Sequence, residues 1–268
     1  MELPTLDIHP TKTHTHTVVF LHGRGDNARN FSASLRYSVD SHGRSLIAAF
    51  PSFRWVFPQA PLRKCASLPS TWPQWFDVWN VENFAENEEL QAEGLREVIP
   101  AIRSILAREA TILHGRWDRV VLAGISMGAA TSVHTLFNLD VPAEGGGGLA
   151  AFLGFSCRCP FAGRTLAEMR AVLGLKDGVP DHANVLANTP ILLEHCVDDP
   201  LVKIENGRGL RDTLRGFGAQ VDWKEYPSGG HWFNSPAGMD DAVEFLNTRV
   251  LKRGSTVSQS ADDAMDLS

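Results

Sequence analysis

Three short segments of this 268-residue chain carry side chains that can cooperate in nucleophilic chemistry. The segment GISMG places Ser126 between two glycines, the segment DDP contains Asp198 and Asp199, and the segment SGGH ends at His231. A serine hydroxyl is a weak nucleophile that needs a neighbouring base, and a histidine base needs a carboxylate to fix its tautomer. The residue types therefore predict a serine nucleophile with a histidine general base and an acidic partner.

The pattern G-x-S-x-G around Ser126 is typical of a sharp turn between a strand and a helix. The apolar run VVLAG precedes the serine and the small-residue run GAATSVHTLF follows it, as this turn requires. Glycines flank the nucleophile because neighbouring backbone passes too close for a Cβ atom. The alternative interpretation is an ordinary strand, turn and helix in which one small residue happens to be serine.

The acid and the base each follow a predicted strand. The strand ILLEH runs into Asp198 and Asp199, and the strand VDWKEY runs into His231. In open α/β sheets, ligand sites lie at the carboxyl ends of the strands. The chain order of serine, acid and histidine is also the order expected for this kind of turn. On spacing alone, Asp198 and Asp199 both qualify as the acid.

A tetrahedral oxyanion needs two hydrogen-bond donors. The backbone N–H after the nucleophile, at Met127, is one candidate. The other should come from the loop after an early strand, here TVVFL followed by HGRGD, where the glycines allow the backbone to curl inward. We expect the amide of Arg24 to be the second donor.

Apolar runs rich in β-branched residues alternate with helical patterns along the chain. The predicted strands are Thr17–Leu21, Arg54–Phe57, Val120–Gly124, Leu149–Phe155, Ile191–His195 and Val221–Tyr226, and the predicted helices are about 88–109, 126–138, 203–216 and 236–250. Several strands are continuous apolar runs, as expected in a parallel sheet covered on both faces. This pattern predicts a single-domain α/β fold, with a kink or a break at Pro100 in the first of these helices.

Residues 15–252 are predicted to form the domain, with 1–14 as a short polar lead-in and 253–268 as a disordered tail. Two long connections, 59–87 and 156–190, interrupt the regular alternation of strands and helices. Connections of this length in a compact domain are often lids or binding loops.

The composition limits the partners. The net charge of −6 gives no reason to expect binding to nucleic acid or to an anionic membrane. The chain has no apolar run of 18 residues and no secretory leader pattern, so no stable membrane insertion is expected. Its four cysteines do not make a disulfide framework, and reduced thiols in the cytoplasm are the expectation.

Aromatic residues in the Pro-rich 59–87 connection are candidates for an apolar substrate groove. We expect Trp75, Phe76 and Trp79 to contribute, with Leu201 as a further candidate beside the acidic segment. The alternative is that these aromatic residues fill the core or close the loop. No metal site is expected, because the chain has neither an HExxH motif nor paired CxxC motifs.

The segments FLHGRGD, WFDVW, GISMGAA, HCVDDPLV and SGGH occur in this order. With them the chain resembles the acyl-protein thioesterase and small carboxylesterase family of α/β-hydrolases over about residues 15–250. The resemblance implies Ser126 as nucleophile, His231 as general base and Asp199, immediately before proline, as the acid. It also implies that the Arg24 and Met127 amides bind the oxyanion. The implied substrates are acyl esters or thioesters, S-acylated proteins among them, with no metal or organic cofactor.

Some positions depart from the family pattern. Cys196 stands where the family often has glycine, Met127 stands where animal thioesterases commonly have glutamine, and the 156–190 connection is longer. These differences bear on acyl preference more than on hydrolysis itself. Three alternatives remain at this stage: a small-molecule carboxylesterase or lysophospholipase without a protein substrate, a non-catalytic binding protein on the same fold, and a dienelactone-type hydrolase. The last normally has cysteine at the position of Ser126.

Overall fold

The computed structural model describes residues 1–252 and contains one seven-stranded sheet. The strands along the chain are β1 (Thr5–Ile8), β2 (His16–Leu21), β3 (Phe53–Pro58), β4 (Leu62–Lys64), β5 (Thr71–Pro73), β6 (Val120–Ile125), β7 (Ala151–Phe155), β8 (Ile191–Cys196) and β9 (Val221–Tyr226). The sheet order is β1-β3-β2-β6-β7-β8-β9, parallel except for β1. Strands β4 and β5 form a separate antiparallel hairpin. All six strands expected from the sequence are therefore present.

Helices cover both faces of the sheet. They are α1 (Ala28–Ser34), α2 (Leu46–Ala49), α3 (Glu89–Ile112), α4 (Met127–Phe137), α5 (Leu166–Leu173), α6 (Asn184–Asn188), α7 (Ile204–Gly216) and α8 (Ala237–Phe245), the last continuing into a π-helical turn over Leu246–Leu251. Alternate residues of β2 point to opposite faces: Val19 and Leu21 pack under α3 to α7, whereas Val18 and Phe20 pack under α1, α2 and α8. The predicted single α/β domain with a mostly parallel sheet is confirmed.

The lead-in predicted over residues 1–14 is corrected by the structure. Thr5–Ile8 pairs with β3 in antiparallel register, from Thr5 opposite Pro58 to Ile8 opposite Trp55, and Leu3 is buried. The segment TLDI alternates polar and apolar residues, as an edge strand with one covered face does, but four residues give only a weak signal. The domain therefore begins before residue 15, and the tail predicted over 253–268 lies outside the described residues.

The sequence predicted a kink or a break of this helix at Pro100. Helix α3 continues through Pro100 without a break, so the prediction of a break is wrong. Residues on both sides of the proline, among them Leu95, Ile99 and Ile102, are fully buried against the sheet. Packing of this apolar stripe stabilises the helix even though proline removes one backbone hydrogen bond.

We predict that Gly94→Ala lowers the free energy of unfolding by about 1–3 kcal/mol. A Cβ atom on Gly94, in the second turn of α3, would lie 2.5 Å from the Cα of Phe76 and 2.7 Å from the carbonyl oxygen of Trp75. Urea unfolding would measure the change. Gly209→Ala in α7 is the matched control, since no atom lies within 4 Å of its added Cβ; it should stabilise by about 0.5–1 kcal/mol. Equal effects at both positions would contradict this packing argument.

Candidate active site

Ser126 occupies a strained position between β6 and α4. Its backbone angles are φ 56° and ψ −125°, a region that residues other than glycine rarely adopt, at a typical cost of about 1–3 kcal/mol. Its N–H donates to the carbonyl oxygen of Phe155 at 2.9 Å, which ties the turn to β7. A Cβ on Gly124 would lie 2.5 Å from the Ala129 nitrogen, and a Cβ on Gly128 would collide with the carbonyl of His22. Both glycines of the motif are therefore required by close backbone approach.

The HGRG loop lies against this turn. A Cβ on Gly23 would be 3.5 Å from the Cβ of Ser126 and 4.0 Å from its Oγ. Met127 is the first residue of α4, so its N–H is one of the donors without a partner inside the helix. Ser126, Arg24 and Met127 all border one cavity. The positive end of the α4 dipole also faces this region, which favours developing negative charge.

The 59–87 connection braces the HGRG loop. The Nε of Arg24 donates to Gln74 Oε1 at 2.8 Å, and its Nη2 lies 3.8 Å from Asp77 Oδ1. The N–H of Gly25 donates to the carbonyl oxygen of Pro73 at 2.8 Å. The side chain of Arg24 is thus held by residues of the 59–87 connection, and its guanidinium also lies 4.9 Å from the ring centroid of Trp72.

His22 and Trp75 form a buried support under the same loop. His22 Nδ1 donates to the carbonyl oxygen of Gly23 at 2.8 Å, and its Nε2 accepts from the N–H of Ala60 at 3.1 Å. Burial lowers the pKa of this imidazole. Trp75 is fully buried and its Nε1 donates to the carbonyl oxygen of His22 at 2.8 Å. The expectation that Trp75 lines a substrate groove is therefore wrong: its indole satisfies a buried carbonyl and does not border the cavity.

Asp199 and His231 are paired. Asp199 Oδ2 accepts from His231 Nδ1 at 2.8 Å, and its Oδ1 accepts from the backbone N–H groups of Leu201 and Val202, both at 2.9 Å. The carboxylate is buried, whereas His231 borders the cavity that also contains Ser126. The structure thus brings His231 and Ser126 to one cavity and places Asp199 behind the imidazole.

The neighbouring Asp198 has a different set of partners. Its carboxylate accepts from the N–H groups of Gly229 at 3.3 Å and Gly230 at 2.8 Å. These are the two residues directly before His231, so Asp198 holds the histidine loop while Asp199 holds the histidine ring. The geometry separates two residues that spacing alone left equivalent.

His195 is a member of the site that the sequence interpretation missed. It is buried on β8, and its Nε2 donates to the carbonyl oxygen of Val202 at 2.7 Å while lying 3.4 Å from Asp199 Oδ2. Burial would raise the pKa of Asp199, but hydrogen bonds from His195, His231 and the Val202 N–H outweigh this effect and hold that pKa well below its usual range. The only signal in the sequence was a histidine four residues before the acid.

The cavity has a volume of about 800 Å³, within the range of small-molecule sites. Of the predicted substrate residues, Phe76, Trp79 and Leu201 border it. Trp72, which the sequence also suggested for the groove, borders it as well, and the further apolar and aromatic lining residues are Leu68, Val78, Val81, Phe84, Ile125, Ala130, Val202 and Trp232. Most of them belong to the 59–87 connection, so that connection forms much of the cavity wall. By contrast, 156–190 contributes only Arg158 among the described lining residues.

Other candidate reactive groups have structural partners. Burial raises the pKa of Cys196 to about 11, so it is a thiol at neutral pH. Potential metal ligands on Asp40, His42 and Asp240 lie within 4.8 Å of one another. The Asp40 carboxylate, however, accepts hydrogen bonds from Arg44, which accounts for its position without an ion.

Comparison with known proteins agrees with this geometry. The profile of the Phospholipase/Carboxylesterase family matches residues 7–250. The chain belongs to this family. It is 28% identical over 246 residues to acyl-protein thioesterase 1 of Gibberella zeae, covering 88% of this chain and 92% of that protein. It is 27% identical over 273 residues to acyl-protein thioesterase 1 of Neurospora crassa, covering 97% of each.

Comparison with a solved structure shows that this chain has the α/β-hydrolase fold. The crystal structure of Zea mays acyl-protein thioesterase 2 superposes with a TM-score of 0.69 and 25% identity, covering 92% of this chain and 99% of that one. The α/β-hydrolase fold and the family expected from the motifs are confirmed, and the protein is a hydrolase of the esterase and thioesterase type. Within residues 1–252, no helix combines the length and the apolar character needed to cross a bilayer.

We predict that the stability difference between the wild type and Asp199→Asn depends on pH. The depressed pKa of Asp199 means that its carboxylate stabilises the fold above the unfolded-state pKa of about 4, and that this contribution is lost as the pH falls through the lower folded-state pKa. The wild type should therefore be more stable than the variant at pH 7, and the difference should shrink below about pH 4. Urea unfolding at intervals from pH 7 to pH 3 would measure it. A constant difference over that range would argue against this account.

Proposed function

We propose that the protein is a serine hydrolase that cleaves acyl esters and thioesters through an acyl-enzyme intermediate. The observation that carries the proposal is the buried Asp199–His231 pair, whose imidazole borders the same cavity as the strained Ser126. The family match and the relatives named acyl-protein thioesterase support the substrate class. The proposal extends to a cytoplasmic location, in keeping with four unpaired cysteines.

In the proposed reaction, His231 Nε2 takes the proton of Ser126 Oγ as the oxygen attacks the acyl carbonyl carbon. Asp199 keeps the imidazole proton on Nδ1 and stabilises the imidazolium that forms. The amides of Arg24 and Met127 donate to the tetrahedral oxyanion, and each donor contributes about a hundredfold or more to the rate. His231 then protonates the departing alcohol or thiol, which leaves Ser126 acylated.

Deacylation repeats these roles with water. His231 removes a proton from water as it attacks the acyl carbon, and the second tetrahedral intermediate collapses to release the carboxylic acid and the serine hydroxyl. The apolar and aromatic cavity wall from the 59–87 connection would receive the acyl chain or the alcohol portion. All proton transfers are carried by His231, and no step calls for a cofactor.

The names of the relatives favour an S-acylated protein as the substrate. The second candidate is a small ester or a lysophospholipid, which has no protein portion. Trp79 and Leu201 border the cavity and are 37% and 59% exposed, so its wall continues onto the surface. A wall of this kind accommodates a substrate that extends beyond the cavity. Rates with S-palmitoylated peptide and with short p-nitrophenyl esters would separate the two candidates.

We predict that Ser126→Ala abolishes hydrolysis of p-nitrophenyl butyrate and labelling by a fluorophosphonate probe, because both need the serine oxygen. The variant should keep a cooperative thermal transition, since only the partly buried Oγ of Ser126 is removed. Retained hydrolysis would refute the nucleophile assignment. A wild-type protein that neither hydrolyses esters nor reacts with the probe would favour the alternative of a non-catalytic binding protein.

We predict that Asp199→Asn lowers kcat by about 10³–10⁴-fold, because an amide in place of the carboxylate favours the wrong histidine tautomer. Asp198→Asn is the matched control. Its amide oxygen can still accept from the histidine loop, so we expect a decrease of less than about tenfold, the scale of one weakened hydrogen bond. Steady-state kinetics with p-nitrophenyl butyrate would compare them. A larger loss at position 198 than at 199 would reverse the assignment of the acid.

A further inference from the structure

A buried cation lies in the wall of the proposed substrate cavity. Arg158 follows β7 in the segment SCRCPF and is only 7% exposed. It borders both the cavity that contains Ser126 and an adjoining cavity lined by residues of the 82–88 and 200–206 segments. A charged group in such a position is expensive to bury unless it is paired.

No carboxylate of the described residues pairs with this guanidinium. Its Nη2 donates to Gln91 Oε1 at 2.7 Å, and glutamine carries no charge. Nearby Glu88 is engaged elsewhere: its Oε1 accepts from the N–H of Phe161 at 2.6 Å, and its Oε2 lies 3.7 Å from Arg164. Burial lowers the pKa of Arg158 to about 10, which still leaves it charged at neutral pH. The guanidinium therefore makes no ion pair within 4.0 Å among the described residues, and the Glu88 carboxylate acts on it only at longer range.

The guanidinium is held in place by its surroundings. It lies 4.0 Å from the ring centroid of Phe84 and 5.7 Å from that of Phe76, as in cation–π contacts. The backbone of its segment adopts positive φ at Ser156 and at Phe161, and the carbonyl oxygen of Pro160 is within 3.0 Å of a buried histidine nitrogen. A rigid, oriented guanidinium is suited to bidentate recognition of a planar or tetrahedral anion.

Much of the lining of the cavity that holds Ser126 and Arg158 is apolar, although Arg24, Asp26 and Glu82 also border it. Ile125, Met127, Ala130 and Phe76 line the cavity together with Ser126 and Arg158. The acidic Glu82 also borders the cavity but is exposed and makes no ion pair with Arg158 within 4.0 Å. A neutral acyl chain that filled this space would cover the cation without neutralising it. A substrate with an apolar segment that ends in an anion would satisfy both surfaces.

We propose that Arg158 binds an anionic group of the substrate, so that the preferred esters or thioesters carry a carboxylate or phosphate separated from the scissile carbonyl by an apolar segment. This inference rests on the proposed function, since it places that anion relative to Ser126. The anion belongs either to the acyl chain or to the leaving group, and both sources present the same chemistry to the guanidinium.

Two matched substrate pairs test this inference and distinguish the sources. In the first pair, mono-p-nitrophenyl suberate carries a carboxylate at the end of its acyl chain, and p-nitrophenyl octanoate is its neutral counterpart. In the second pair, the octanoyl ester of 4-hydroxybenzoate carries the carboxylate on its leaving group, and the octanoyl ester of 4-hydroxybenzamide is its neutral counterpart. We expect the wild type to have the higher kcat/KM for the anionic member of at least one pair. The anionic-to-neutral ratio for that pair should fall about 10–100-fold in Arg158→Met, the scale of a lost charge-assisted hydrogen bond.

The variants separate charge from packing. Arg158→Lys keeps the charge and should give an intermediate ratio, whereas Arg158→Gln should resemble Arg158→Met. Lys176→Met is the matched control, because Lys176 is an exposed cation of the same connection that does not border the cavity; its ratio should equal that of the wild type. Thermal unfolding would report whether each variant is folded.

Wild-type ratios at or below one in both pairs would overturn the inference, and this result needs no variant to fold. A ratio above one that is unchanged in folded Arg158→Met would overturn it equally. Failure of the proposed function has a different signature, because all four esters would then be hydrolysed no faster by the wild type than by Ser126→Ala.

Discussion

The buried carboxylate of Asp199 is the interaction on which the candidate site depends. One oxygen faces His231 and His195, and the other accepts two backbone N–H groups from the turn that follows. A buried anion is stable only when donors surround it, so the carboxylate fixes three segments at once: the histidine loop, the end of β8 and the 199–202 turn. The same donors that compensate its burial also orient the imidazole. Stability and chemistry are therefore coupled at this residue.

The 59–87 connection has a comparable double function on the other side of the cavity. Its residues Gln74 and Asp77 hold the Arg24 side chain, and the carbonyl of Pro73 holds the Gly25 amide. The same connection supplies most of the apolar wall. A change in that wall would therefore also be transmitted to the loop that carries the Arg24 amide. In the proposed mechanism, substrate selection and oxyanion binding therefore share one structural support.

Much of the fold could be predicted because its strands are buried on both faces and appear as apolar runs. The candidate site could be predicted because Ser126, Asp199 and His231 each follow a predicted strand in the expected chain order. Three features could not. The edge strand Thr5–Ile8 alternates polar and apolar residues over only four positions, too few to identify a strand. Asp198 and Asp199 are adjacent in a turn, where spacing does not separate them, and only the resemblance to the family pattern singled out Asp199. Trp75 is fully buried despite its loop position, since loop residues of this chain contribute to the core under α3. Each depends on contacts that are distant in sequence.

Arg158 illustrates why a family fold does not determine a substrate. In the proposed mechanism the strained serine turn and the Asp199–His231 pair act only at the acyl carbonyl, and they do not select the rest of the substrate. Selectivity comes from the walls, and here one wall contains a cation that stacks on Phe84 and has no described counter-ion. Evolution of a purely apolar groove would remove such a charge, because replacing it by an apolar residue of similar volume costs little. A ligand anion that completes the pair would account for an arginine at this buried position.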